Sequence, residues 1–183
     1  MEERCKFVSL KKNTKIIVIT GAESTGKSTL TEALAKYFGV PYIPEIAREY
    51  VEKLTHKYNY HDVESIARAQ IEQFNKLKNG NHEYLFMDTW LIITKIWFDV
   101  VFKKEPAWLL DEIQNTKIDL FLVCDIDIPW TPDPVRENGG ENRIKLHKMY
   151  IASISSFNFA YRLVNGLNEE RIKNAVQFIN NLT

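Results

Sequence analysis

The chain has 183 residues, 45% of them hydrophobic and 26% charged, the size and balance of one ordinary globular domain spanning 1–183 rather than a disordered or fibrous polypeptide. Twenty-four Lys and Arg balance 24 Asp and Glu, which leaves no net charge to draw the chain to nucleic acid or to an acidic membrane surface. Cys5 and Cys124 stand far apart with no Cys-x-x-Cys pair, against a disulfide framework or a zinc site. No signal-peptide pattern or apolar stretch of membrane-spanning length occurs, so a cytoplasmic protein without membrane insertion is expected.

In chain order, the β-branched run 16–20 reads as a strand, followed by a Gly-containing loop and a helix over 28–38 that Gly39 and Pro41 end. A second strand is expected near 40–44 and a helix over 63–77, capped by Asp62 and stopped at Asn79-Gly80. Then come a strand at 84–87, an aromatic-rich helix over 91–102, a short helix over 108–113 and a strand at 120–123. Residues 128–142 hold three prolines and two adjacent glycines and read as a long loop. A helix over 144–157, a strand at 161–164 and a last helix capped by Asn168 complete the chain. Apolar strands alternating with helices predict an α/β fold: a parallel five-stranded sheet covered by helices on both faces. Ligands then bind at the carboxyl ends of the strands, which brings the residues after Thr20, Pro44, Met87 and Val123 to one crevice.

Residues 21–28 read Gly-Ala-Glu-Ser-Thr-Gly-Lys-Ser, the G-x-x-x-x-G-K-[ST] pattern, placed between a strand and a helix as its chemistry requires. Glycines let successive amides turn onto phosphate oxygens, and the helix N-terminus adds positive potential. Gly21, Glu23, Ser24, Thr25, Gly26, Lys27, Ser28 and Thr29 are therefore the expected ATP contacts, with Lys27 on phosphate charge and Ser28 on Mg²⁺.

Asp88 follows a hydrophobic strand and is placed to reach the Mg²⁺ shell; the alternative is a helix cap. Glu45 ends the second strand, where a carboxylate can act as general base on an acceptor hydroxyl, with Arg48 and Glu49 a turn away; the alternative is a surface ion-pair cluster. The run 129–136 with Arg136, followed by Arg143, reads as a mobile lid whose guanidiniums meet the transferring phosphoryl group, or else as a solvated loop. Of the tryptophans, Trp90 and Trp130 flank the proposed strand end and lid, whereas Trp97 and Trp108 read as core. The four histidines are not spaced as a metal pair and read as surface or structural.

The P-loop at 21–29, Glu-Ile-Ala-Arg-Glu-Tyr at 45–50, Met-Asp-Thr at 87–89 and the run Trp130 to Arg136 together resemble the NadR-like ribosylnicotinamide kinase domain across nearly the whole chain. The resemblance implies an ATP- and Mg²⁺-dependent kinase that phosphorylates the 5′-hydroxyl of nicotinamide riboside. It implies Lys27, Glu45, Asp88, Arg136 and Arg143 as catalytic residues, Ser28 and Asp88 at the metal, and Glu45, Arg48, Glu49, Asp88, Trp90 and Trp130 around the nucleoside. The nucleotidyltransferase domain of bifunctional members is expected to be absent. Another nucleoside or nucleotide kinase and a regulatory P-loop ATPase are the competing expectations.

Overall fold

Residues 16–19 are β-branched at every position, so a strand made of them has two apolar faces, both of which must be covered. In the computed structural model, which describes residues 13–132 and 138–182, that strand is β1 (Lys15–Thr20), the centre of the sheet. Among the described residues five strands pair in the order β2-β3-β1-β4-β5, every pairing parallel. The others are β2 (Tyr42–Ile43), β3 (Tyr84–Asp88), β4 (Leu120–Cys124) and β5 (Tyr161–Val164). Parallel neighbours need crossover connections, and helices supply them: α1 (Lys27–Phe38), α2 (Ile46–Glu52), α3 (Tyr60–Leu77), α4 (Leu91–Trp97), α5 (Ala107–Asn115), α6 (Gly140–Ser156) and α7 (Asn168–Asn180).

Alternate strand residues feed two cores. Val18, Met87 and Phe121 pack with α3, α4 and α6 through Ala67, Leu91 and Ile154, whereas Ile19, Phe86 and Leu122 pack with α1 and α7 through Leu34 and Ile179. Register sets the active end: Ile19 lies opposite Asp88, and Thr20 opposite Val123. The residues leaving β1, β3 and β4 thus emerge side by side.

The expected fold class is present, with several boundaries displaced. The second strand shrinks to two residues. The cap of α3 is Asn59, not Asp62: the Asn59 side chain accepts from the amides of His61 and Asp62 at 2.8 and 3.2 Å, and the Asp62 carboxylate returns to the Asn59 amide at 2.8 Å. The 91–102 helix breaks register, α4 passing at Phe98–Phe102 into a π turn that ends on Lys103 with φ 54°. Helix α6 begins at Gly140, so Arg143 belongs to a helix rather than to the loop before it. Asn168 is the first residue of α7, with Leu167 at the cap position. No described helix is long and apolar enough to cross a membrane.

Asn59→Ala removes one half of a reciprocal cap and is expected to lower the free energy of unfolding by about 1–2 kcal/mol. Urea denaturation checks this, and an unchanged midpoint would contradict it.

Candidate active site

A loop that offers amides to an anion must turn its carbonyls the other way, because the two groups of a trans peptide point oppositely. Every carbonyl from Ala22 to Gly26 has found a donor. Ala22 accepts from the Thr25 hydroxyl at 2.8 Å and from Lys27 Nζ at 3.1 Å. Glu23 and Ser24 accept from Nε and Nη2 of Arg143 at 2.9 and 3.0 Å, Thr25 from Nη1 of Arg171 at 2.9 Å, and Gly26 from the Leu30 amide at 3.0 Å. The amides of these peptides are thereby directed to the concave side, where phosphate would lie. Gly21 makes the loop possible: it leaves β1 at φ 142°, and a β-carbon there would come within 2.8 Å of the Cys124 carbonyl oxygen.

Beside the loop, Asp88 closes β3 and is 2% exposed, with Oδ1 lacking a hydrogen-bond partner among the described residues. Burial pushes its carboxyl up to about 6, and the charge of Glu45 adds to the rise, while the Ser28 hydroxyl and the Lys27 ammonium pull the other way. The cap position of α4 belongs to Trp90, so Asp88 is not spent as a helix cap. A buried carboxylate with an unoccupied oxygen, beside the Ser28 hydroxyl, fits a Mg²⁺ ion by donor chemistry.

A cavity of about 850 Å³ joins the loop and Ser28 to the other side of the crevice; Asp88 is not among its lining residues. Its loop end is lined by Gly21 and Glu23 through Thr29, and its middle by Glu45, Arg48 and Asn138. The far end is an apolar wall of Val51, Ile93, Ile96, Trp97, Val100 and Val101, closed by Tyr58 and edged by His56 and Lys57. Tyr58 meets Trp97 edge-on at 4.7 Å between ring centroids. Tyr150 of α6 also lines the cavity, its phenol held well above the ordinary range by burial and by the charges of Glu23 and Glu45.

Several expected residues are placed elsewhere. Trp90 is 1% exposed and packs on Phe74 of α3 in the core; it does not line the cavity. Glu49 lies on the outer face of α2 with a 71% exposed side chain paired to Lys53, also outside the lining. Trp130 stacks over Gly139. Arg136 lies outside the described residues. Arg143 is buried with two nitrogens on the phosphate loop's carbonyls, so it meets the loop's backbone rather than hanging in a lid. The flanks of the lid segment do reach the loop: the Thr131 amide donates to Ser24 Oγ at 3.0 Å, and Asn138 donates through its backbone and side chain to the Glu23 carboxylate at 2.9 and 2.8 Å. Sequence reasoning missed Trp97, Tyr58, His56 and Tyr150. The apolar spacing 93, 96, 97, 100, 101 could have marked one helical face, but only the fold shows that this face looks into a cavity.

A parallel doubly wound sheet with this loop after its central strand defines a P-loop nucleotide-binding protein. The chain belongs to the AAA domain family, whose model matches residues 16–171. It is 28% identical over 131 residues to the trifunctional NAD biosynthesis/regulator protein NadR of Salmonella typhimurium, an alignment covering 68% of this chain and 32% of the relative. The chain thus spans about a third of the curated relative's length. NadR protein solved in complex with NR superposes with a TM-score of 0.74 at 19% identity, covering 93% of this chain and 51% of that one. NadR protein with NAD and AMP-PNP gives 0.78 at 21%, covering 93% and 50%. A deoxyadenosine kinase from M. mycoides gives 0.66 at 19%, covering 90% and 98%. The resemblance to NadR is borne out as a likeness, and the solved structures establish the fold.

Because the folded carboxyl of Asp88 titrates near 6 rather than 3.8, its contribution to stability is complete below about pH 4 and is lost as pH rises through 6. In protein free of nucleotide and metal, Asp88→Asn is therefore expected to stabilise the fold at pH 8 by up to about 3 kcal/mol, an advantage that vanishes toward pH 4. Urea unfolding at the two pH values checks the sign; a variant no more stable than wild type at pH 8 would contradict it.

Proposed function

We propose that the protein is an ATP-dependent kinase that phosphorylates the 5′-hydroxyl of nicotinamide riboside to nicotinamide mononucleotide. The observation that carries this reading is the single cavity linking the phosphate loop, past Glu45, to a wall of Trp97, Tyr58 and aliphatic side chains. Such a cavity suits a triphosphate at one end and a nucleoside ring at the other, with the acceptor hydroxyl between them. Similarity to NadR proteins supports nicotinamide riboside as the acceptor.

In this reading the triphosphate lies along residues 21–28, and Lys27 leaves the Ala22 carbonyl to meet phosphate charge. The Ser28 hydroxyl and Asp88 would hold Mg²⁺, which would supply neutralisation of phosphate charge. Glu45 accepts the proton of the 5′-hydroxyl while that oxygen bonds to the γ-phosphorus; the bond from that phosphorus to the bridging oxygen breaks, and ADP leaves. Arg143, from α6, keeps the loop in shape while this happens, and the lid arginine Arg136 is assigned to the transferring group by resemblance alone. The nicotinamide ring lies against Trp97 and Tyr58, where a cation over an aromatic face contributes roughly 0.5–2 kcal/mol.

A second reading has its own observation. Arg48 and Lys57 are among the residues lining the cavity, and such cationic groups suit an acceptor that already carries a phosphate, as in a nucleoside monophosphate kinase.

The test is to incubate the protein with ATP, Mg²⁺ and a panel of nicotinamide riboside, common nucleosides and their monophosphates, measuring ADP release and product mass. Nicotinamide mononucleotide as the preferred product supports the first reading. A monophosphate with higher kcat/KM moves the assignment to the second, and ADP release without any phosphorylated acceptor defeats both. Glu45→Gln is expected to lower kcat by about 10²–10⁴-fold with little change in ATP affinity; if only Asp88→Asn behaves so, the base is Asp88. Trp97→Ala is expected to raise the acceptor KM by about 2–30-fold at unchanged ATP KM, and an acceptor KM equal to that of wild type would remove Trp97 from the acceptor site.

A further inference from the structure

Arg171 occupies the first turn of α7, where the helix dipole presents positive potential and a cation is disfavoured, and it is only 4% exposed, which adds the cost of desolvating a guanidinium. Something must hold it there. Its Nε donates to the Gly166 carbonyl at 2.8 Å, its Nη2 pairs with Asp127, and its Nη1 donates to the Thr25 carbonyl at 2.9 Å. The second carboxylate oxygen of Asp127 accepts the Gly166 amide at 2.7 Å. Gly166, at φ 92°, is therefore gripped on both sides, its N–H by Asp127 and its C=O by Arg171. Asp127 from the loop after β4, Gly166 from the loop after β5 and Arg171 of α7 thus close into a ring, and Nη1 of Arg171, directed out of that ring, meets the phosphate loop.

The consequence follows from peptide geometry. Pulling the Thr25 carbonyl outward turns the N–H of the same peptide, that of Gly26, toward the concave side of the loop. We propose that Arg171 is a positioning residue of the phosphate loop: anchored by Asp127 and Gly166, it aims the Gly26 amide at the bound triphosphate without touching nucleotide itself. The inference rests on the triphosphate-binding reading of the loop and assigns to α7 a part in it that neither the motif nor the cavity lining includes.

The test measures binding of Mg²⁺·ATP and of inorganic tripolyphosphate by calorimetry to wild type, Arg171→Ala, Arg171→Lys and Asp127→Asn, with unfolding curves for each. Tripolyphosphate carries the phosphates without the nucleoside, so it reports on the loop alone. Arg171→Lys keeps charge and length for folding but cannot span all three partners, and it is expected to weaken both ligands by about tenfold, to a similar extent, as for one lost charge-assisted hydrogen bond. Asp127→Asn, which loosens the anchor while leaving the arginine in place, is expected to shift both in the same direction. If Arg171→Ala does not fold, these two variants still decide. Lower stability with unchanged affinities would make Arg171 a structural residue only and overturn the proposal, as would a loss confined to ATP, which would place its effect on the nucleoside side. If wild type binds neither ligand, the reading of the loop fails and this inference fails with it; wild-type binding with indifferent variants overturns this inference alone.

Discussion

Directing five consecutive peptides so that their amides converge on one point leaves five carbonyls facing the protein, and satisfying those carbonyls organises much of the molecule. The loop itself answers for Ala22 and α1 for Gly26, but Glu23, Ser24 and Thr25 depend on guanidiniums that arrive about 120 to 146 residues later in the chain. Arg143 and Arg171 stand near the starts of α6 and α7, which follow β4 and β5, the strands on one side of β1. The parallel topology is what brings those helix starts to the same end of the sheet as the loop. A short motif therefore needs the second half of the chain to acquire its shape.

The other side of β1 supplies a different property. Strand β3 carries Asp88 out of a fully apolar run into buried surroundings that raise its carboxyl, and Glu45, two residues past β2 at the cap position of α2, adds its charge to that rise. Two carboxylates so placed repel each other until a cation or a proton intervenes, which fits a site built to receive a metal-bound triphosphate. Beyond them the π turn after α4 continues the wall begun by Ile93 and Trp97, so that Val100 and Val101 also face the cavity. The donor end is thus polar and made of backbone, and the acceptor end is apolar and made of side chains.

The loop from Gly21 to Ser28 and the strand end at Asp88 were legible because local spacing states them: a β-branched run, a glycine pattern, an acid closing an apolar strand; Glu45, expected to end the second strand, instead takes the cap position of α2 two residues after β2. The five strands were legible for the same reason. Other features depended on packing that no local pattern carries. Trp90 and Trp97 both lie among aliphatic residues, yet one packs against Phe74 of α3 and the other faces the cavity. Glu49 shares a motif with Glu45 but, four residues on, projects from the outer face of α2 toward Lys53. Arg143 read as a lid residue because the glycines at 139 and 140 suggested a loop, whereas Gly140 at φ 56° starts the helix that carries it to the phosphate loop. Arg171 gave no signal at all, since an arginine in an amphipathic helix reads as surface until its partners are known.

In the proposed reaction one cavity holds the donor phosphates at the inward-turned amides and the acceptor hydroxyl beside Glu45. A crystal structure with a non-hydrolysable ATP analogue, Mg²⁺ and nicotinamide riboside tests it most directly. The expected result is phosphate oxygens within hydrogen-bond distance of the amides of residues 23–28, the metal on Ser28 and Asp88, and the riboside's 5′-hydroxyl in line with the γ-phosphorus and within reach of Glu45. A triphosphate bound away from this loop, or a riboside whose 5′-hydroxyl lies outside the cavity, would contradict it.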